Sequence, residues 1–304
     1  RTMIIFGQGA IRCHPYLVKE MDAATMSDDA AGALAFDKAL TGHIAYFVTN
    51  LCRAFVFGIS GSHLAASPVS GRIGTYYKRL GQMSSAFAVT SDLVLMILGG
   101  SVTRKEKLSG RFADALGYMY YASAVLKKFE DDGRQKADIP LVEWSAKHCL
   151  YQVQIALDEI LRNFPVKSLG ILARIIIFPL GLNLRQPNDS LGHRVSSLLI
   201  SPSEARDRLT HGIYISEDDN DNTGCLEDAF EKVLLAEPIE RRLKVSQQVK
   251  SGLQSYQQWI DELVATSVLK PEEADTLLSA QAATRKVIMV DDFTTEELRN
   301  QVNS

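Results

Sequence analysis

The chain has 304 residues, 46% apolar and 23% charged, a globular composition with enough apolar material for one large domain or two smaller ones. Its formal net charge of −3, from 33 basic and 36 acidic side chains, gives no electrostatic reason to expect nucleic acid, and no basic tail appears. The four cysteines, Cys13, Cys52, Cys149 and Cys225, stand singly and far apart, which argues against a zinc knot or disulfide framework and for thiols in a reducing compartment.

The sequence opens at Arg1 without a charged-then-apolar leader, so no signal peptide is read and a fragment is expected. From Asp28 to Phe164 the apolar residues keep a helical period. The first run carries Leu40, Ile44, Phe47, Leu51 and Phe55 at spacings of three and four. The second carries Ile73, Tyr77, Leu80, Met83, Phe87, Val94 and Ile97 and stops at Gly99-Gly100. The third runs from Thr103 to Asp132, with Phe112, Leu116, Met119, Leu126 and Phe129 on one face and Gly133 after it. Asp138 then reads as an N-cap with Pro140 in the first turn, followed by Val142, Ala146, Cys149, Val153, Leu157, Ile160 and Phe164 up to Pro165. Four amphipathic helices joined by short breaks predict an all-α fold, an antiparallel four-helix bundle over residues 28–165. Residues 1–27 precede it, and a helical extension over residues 166–304 follows.

In that extension residues 169–184 are dense in apolar side chains, broken by Arg174, Pro179 and Gly181. The stretch Pro202–Gly224 is polar, ends in EDDNDN and is expected to be a solvated loop. Helical patterns return at Leu226–Ala236, Tyr256–Leu269 and Pro271–Lys286, where Pro271-Glu272-Glu273 suits a helix start, and a charged tail begins at Asp291.

No spacing in the sequence assembles an active site. His14, His43, His63, His148, His193 and His211 show no HExxH or other ligand spacing and read as structural or surface histidines. Gly7-Gln8-Gly9 lacks the third glycine of a dinucleotide fingerprint, and Ser60-Gly61-Ser62-His63 reads as an interhelical loop rather than a nucleophile and base. Glu130-Asp131-Asp132 and Asp218-Asp219 read as solvated charges. Arg104-Lys105-Glu106-Lys107 reads as a solvated helix start within reach of an anionic partner.

Long strings in a fixed order carry a resemblance: RTMIIFGQGAIRCHPYLVKEM at Arg1–Met21, ILGGSVTRKEKLSGRFADAL at Ile97–Leu116, YASAVLKKFEDDGRQKADIPLVEW at Tyr121–Trp144, ALDEILRNFP at Ala156–Pro165, and VDDFTTEEL near the end. Over nearly its full length the chain resembles the C-terminal portion of bacterial FadE-type fatty acyl-CoA dehydrogenases. The resemblance implies a helical bundle of acyl-CoA dehydrogenase C-terminal type, and residues 1–27 as a continuation of the dehydrogenase core. It implies FAD as cofactor, a medium- to long-chain fatty acyl-CoA as substrate, and an electron-transferring partner that reoxidises the flavin. The implied reaction makes the trans-2-enoyl-CoA, the first step of fatty acid β-oxidation. A glutamate removes the α-proton while the β-hydrogen leaves as hydride, and a weak carbon acid requires that base within hydrogen-bond reach.

In the family that glutamate lies in an EGxxxxxR-like motif. Arg1 matches the final arginine, so the catalytic Glu is expected upstream of Arg1, and no residue here takes a catalytic role. Glu20, the first glutamate present, lacks the matching context. Related enzymes also imply homodimer or peripheral membrane contacts for such helices. The candidate contact residues are Leu169, Leu172, Ile175 and Ile176, in a segment shorter than the roughly 17 residues needed to span a bilayer; the alternative for this segment is a buried helix packed on the bundle. A helical projection puts Leu169, Leu172, Ala173 and Ile176 on one side, with Arg174 off it and free to snorkel. The expected location is the bacterial cytoplasm, peripheral on the inner membrane. The competing reading is a free-standing helical adaptor or membrane-docking module without catalysis.

Overall fold

A computed structural model of the chain describes residues 14–216, 221–243 and 256–289, together with Gly9 and Arg12. Helices joined by turns and irregular segments, with no strand, occur among these residues, so the fold is all-α as expected. The calls on Gly7-Gln8, on Asp218-Asp219 and most of the acidic run, and on the tail from Asp291 lie outside the described residues. Two compact units are present, Arg1–Leu209 and Thr210–Ser304.

The first unit holds α1 (Leu17–Ala24), α2 (Asp29–Ile59), α3 (Gly71–Leu98), α4 (Glu106–Asp131), α5 (Ile139–Arg162), α6 (Lys167–Ile177), α7 (Asp189–Leu199) and α8 (Glu204–Thr210). The helix ends follow local chemistry. Asp28 caps α2 by accepting from the amides of Ala30 and Ala31 at 3.0 and 3.2 Å. Gly99 (φ 49°) closes α3 and Gly133 (φ 78°) follows α4, both in the left-handed region that a side chain disfavours. Asp138 departs from expectation. It makes no capping bond at the start of α5, and its two oxygens instead accept from Arg208 at 2.8 and 3.0 Å, tying α8 to the bundle.

The core lies between α3, α4 and α5, centred on Met83, Phe112, Leu126, Leu150, Leu157 and Ile160, all under 2% exposed. Val142, Ala146, Cys149, Val153 and Phe164 are buried with them, so the stripe read for α5 faces inward. Leu116 does not: it is 39% exposed, and its neighbour Ala115, fully buried, takes the inward position on α4.

Helix α2 is rotated from its predicted face. Its buried residues are Gly32, Ala39, Asn50, Ala54 and Gly58, whereas Leu40, Ile44 and Phe55 are exposed and Phe47 and Leu51 only partly covered. The cause is close packing. A Cβ on Gly42 would stand 2.4 Å from the Tyr16 ring, and one on Gly58 would stand 2.7 Å from Pro179. Small residues let backbones approach, and the bulky ones are left to point away.

Helix α7 lies where no element was singled out from sequence, and α8 replaces part of the loop expected over Pro202–Gly224. Asp189–Leu199 starts on Asn188, whose side chain accepts from the Leu191 amide at 3.0 Å, and Glu204–Thr210 starts beside Ser203, which accepts from Arg206 at 3.1 Å. Helices α6 to α8 fall within the same compact unit as the bundle.

The second unit contains α9 (Asn222–Leu243), α10 (Tyr256–Ala265) and α11 (Pro271–Ile288) around Ala236, Trp259, Ile260, Leu269 and Leu277. Helix α9 continues through Pro238, beyond the end expected at Ala236. Pro271 opens α11 as predicted, with the Glu273 carboxylate accepting from the Lys270 amide at 3.1 Å and paired to Arg242 at 2.9 Å. That arginine holds the Glu273 carboxyl below the usual carboxylate range, helped by the Lys270 amide.

Candidate functional site

Helix α6, which carries the candidate contact residues, is seated by its small and polar residues. Gly170 sits so close to the end of α5 that a Cβ would lie 2.4 Å from the Leu161 carbonyl and 2.6 Å from Phe164 Cβ. Ala173 and Ile177 follow it into the core. Arg174 does not snorkel outward. It donates to Asp158 at 2.6 Å, and the same buried carboxylate also holds Arg162 at 2.7 Å. The inner face is therefore Gly170, Ala173 and Ile177, one helical stripe shifted from the side projected from sequence.

The outer face carries the candidates unevenly. Leu172 and Ile175 are 53% and 59% exposed, whereas Leu169 and Ile176 lie half-buried at the flanks. Ile171 and Leu180, both 62% exposed, join the open face and were not singled out from sequence, although they stand in the same apolar run. Helix α2 presents a second apolar face through Leu34, Ile44, Val48, Phe55 and Ile59. Its most apolar window has a mean hydropathy of 1.2 and is 17% buried, and its length and composition alone would allow it to cross a bilayer.

Beside the start of α6 lies an open basic pocket of about 570 Å³ lined by Arg104, Lys105, Lys107 and Arg111, with Asn163 and Pro165. Arg111 is bonded to Glu159 at 2.9 Å, which leaves Arg104, Lys105 and Lys107 as its freer cations. The basic run read as a helix start, with Glu106 among it, thus lines a pocket with Asn163 and Pro165, just before α6.

The remaining motifs resolve into structure. The Ser62 hydroxyl donates to Gln82, and the His63 carbonyl accepts from Lys78 at 3.0 Å, so this stretch is a turn rather than a nucleophile and base. Glu130, Asp131 and Asp132 pair with Arg134, Lys127 and Lys128 along the helix end. Glu143, 1% exposed, lies 2.9 Å from the Arg72 guanidinium, a contact of charge without an aligned N–H.

Spacing did not reveal one polar centre. His14, His43 and Asp92 each bring one ligand-type atom within 4.8 Å of the others, from the segment before α1, from α2 and from α3. His14 Nε2 lies 3.0 Å from Asp92 Oδ1, and His43 Nδ1 lies 2.8 Å from Glu20 Oε1. The aromatic rings of Tyr16 and Tyr46 surround the pair. Burial, and then the Asp92 charge, push the Tyr46 hydroxyl above its usual range.

These features define an all-α domain with open apolar faces on α2 and α6 and a basic pocket near the end of α5. The family described as acyl-CoA dehydrogenase, C-terminal, bacterial type matches residues 11–293, and the chain belongs to it. No solved structure matches the chain.

The family is in general FAD-dependent, which can be tested against the glycine-rich polar pocket of about 760 Å³ around Ser62, Ser67, Thr75 and Lys78. The residues do not fit a flavin cradle. A Cβ on Gly74 would stand 2.2 Å from the Val69 carbonyl, so that glycine packs chain against chain, and Gly61 and Gly71 serve turns at φ 55° and 76°.

Proposed function

We propose that this chain is the structural and docking part of a flavin-dependent acyl-CoA dehydrogenase whose catalytic glutamate and FAD-binding residues lie outside it. The whole enzyme converts a medium- to long-chain fatty acyl-CoA to the trans-2-enoyl-CoA in fatty acid β-oxidation and passes electrons to a separate acceptor. It works in the bacterial cytoplasm, held peripherally on the inner membrane or to a second subunit through α6. Family membership supports the enzyme class.

The observation that carries the docking role is the two-sidedness of α6. Its inner face is fully engaged by Gly170, Ala173, Arg174 and Ile177, and Leu172 and Ile175 are nevertheless left in the open. Exposed apolar patches of this kind on a folded domain mark interaction sites. Burying roughly 300 Å² of apolar surface at about 25 cal/mol per Å² contributes on the order of 7 kcal/mol before ordering costs, enough for reversible docking. Arg104, Lys105 and Lys107, which share a pocket with Asn163 and Pro165 just before α6, suit an anionic lipid surface.

The test is the double variant Leu172→Asp/Ile175→Asp, assayed by flotation with phosphatidylglycerol-containing liposomes and by light scattering for dimers. The expected result is loss of flotation or of the dimer with an unchanged far-ultraviolet circular dichroism spectrum. Wild-type behaviour in both assays would refute the docking role of this face.

A further inference from the structure

We propose that His43 and Asp92 form a binding site for a divalent transition-metal ion, held in place by Glu20 and His14. The argument starts from which atoms are already committed. His14 Nδ1 accepts from the backbone amides of Tyr16 and Leu17 at 3.2 and 3.0 Å, so it carries no proton. Its proton therefore sits on Nε2 and is donated to Asp92 Oδ1. With both nitrogens used, His14 is a supporting group and not a ligand.

Asp92 and His43 are left with one unused donor atom each. The Asp92 side chain is 3% exposed, and its Oδ2 is buried with no hydrogen-bond partner. An ionised oxygen left so is costly and calls for an ion or water. The Glu20 carboxylate accepts from His43 Nδ1, which leaves Nε2 with its lone pair free for a metal. A carboxylate behind the histidine and a hydrogen bond behind the carboxylate are the outer supports that orient metal ligands and raise their basicity.

Room and charge agree. A cavity of about 290 Å³ borders Glu20, His43 and Asp92, is walled by Leu17, Ile44 and Phe47, and has no lysine or arginine in its lining. Waters in that space would complete the coordination shell. Mixed imidazole and carboxylate donors suit zinc, cobalt or manganese better than the all-oxygen ions. The same acidic lining disfavours the anionic phosphates of a coenzyme A ester, so this is not a substrate pocket.

The experiment uses the 304-residue chain, stripped with chelator and titrated with Co²⁺ and then Zn²⁺. Calorimetry should give one site per chain, and Co²⁺ should develop visible d–d absorption that Zn²⁺ removes. His43→Ala should abolish both signals, and Glu20→Gln should weaken affinity about 10- to 100-fold, as losses of such supporting groups do. Asp92→Asn should also abolish binding, but it is buried, so half-buried His43 carries the decision, with circular dichroism confirming its fold. No stoichiometric binding to the wild type would overturn the proposal. Binding that survives His43→Ala would also overturn it, because the ion would then be adventitious at the other histidines.

Discussion

Leu157→Ala against Leu116→Ala puts the assignment of the bundle core to its sharpest test. Both leucines lie on helices of the first unit, and a sequence stripe places both inward, yet Leu157 is fully buried on α5 whereas Leu116 is 39% exposed on α4. Truncating Leu157 removes buried methyl groups and leaves a cavity that close-packed neighbours cannot fill. Such changes cost about 2–5 kcal/mol. Leu116 is partly solvated and its site can relax toward water, so the expected cost is about 1 kcal/mol. For a unit of this size each kcal/mol moves Tm by roughly 2–4 °C. A central value of about 3 kcal/mol for Leu157→Ala therefore predicts a fall of roughly 6–12 °C, against roughly 2–4 °C for Leu116→Ala. Differential scanning calorimetry of the two variants and the wild type measures this directly. Equal shifts would show that the orientation of α4 is wrong.

Gly170→Ala should lower Tm clearly, because its Cβ would meet the Leu161 carbonyl at 2.4 Å, whereas Gly192→Ala on α7, which meets nothing within 4 Å, should raise stability by up to about 1 kcal/mol. Arg208→Ala should destabilise the packing of α8 and speed local amide exchange there, since it leaves the buried Asp138 carboxylate without its bidentate partner. Mass-spectrometric alkylation should label exposed Cys52 and spare buried Cys149, whose thiol burial pushes above its usual range. For Cys149 the raised folded value means that burial costs no stability below the ordinary thiol range and that stability falls as pH rises through it.

How far the sequence was legible depended on what each interface is made of. Helix α5 buries large apolar residues, so periodicity located both the element and its inner face. Helix α3 was located with only Met83 and Val94 of its stripe on the buried face, which also carries Tyr76, Ala86, Val89 and Thr90. Helix α4 was located the same way, with Leu116 misassigned because fully buried Ala115 contributes little to an apolar count. Helix α2 was found but rotated, with Phe47 and Leu51 still packed on the core, because its buried seam consists of Gly32, Ala39, Asn50, Ala54 and Gly58. Helix α6 rotated for a related reason: Gly170 and the Asp158–Arg174 bond seat it, and neither carries an apolar signal. The centre at His14, His43 and Asp92 was invisible to spacing motifs, since the bonded pair is 78 residues apart in the chain. Only the hydrogen-bonding capacity of His14 and Asp92 hinted at it, and composition gives no way to pair them.

The most direct test of the central claim, that this chain is the non-catalytic helical part of an acyl-CoA dehydrogenase, is the flavin content and turnover of the purified 304-residue protein. It should be strongly helical by circular dichroism, colourless after loading with FAD and desalting, and unable to reduce a dye acceptor with palmitoyl-CoA. Stoichiometric flavin that bleaches on adding palmitoyl-CoA would contradict the account and place both a cofactor site and a base within these residues.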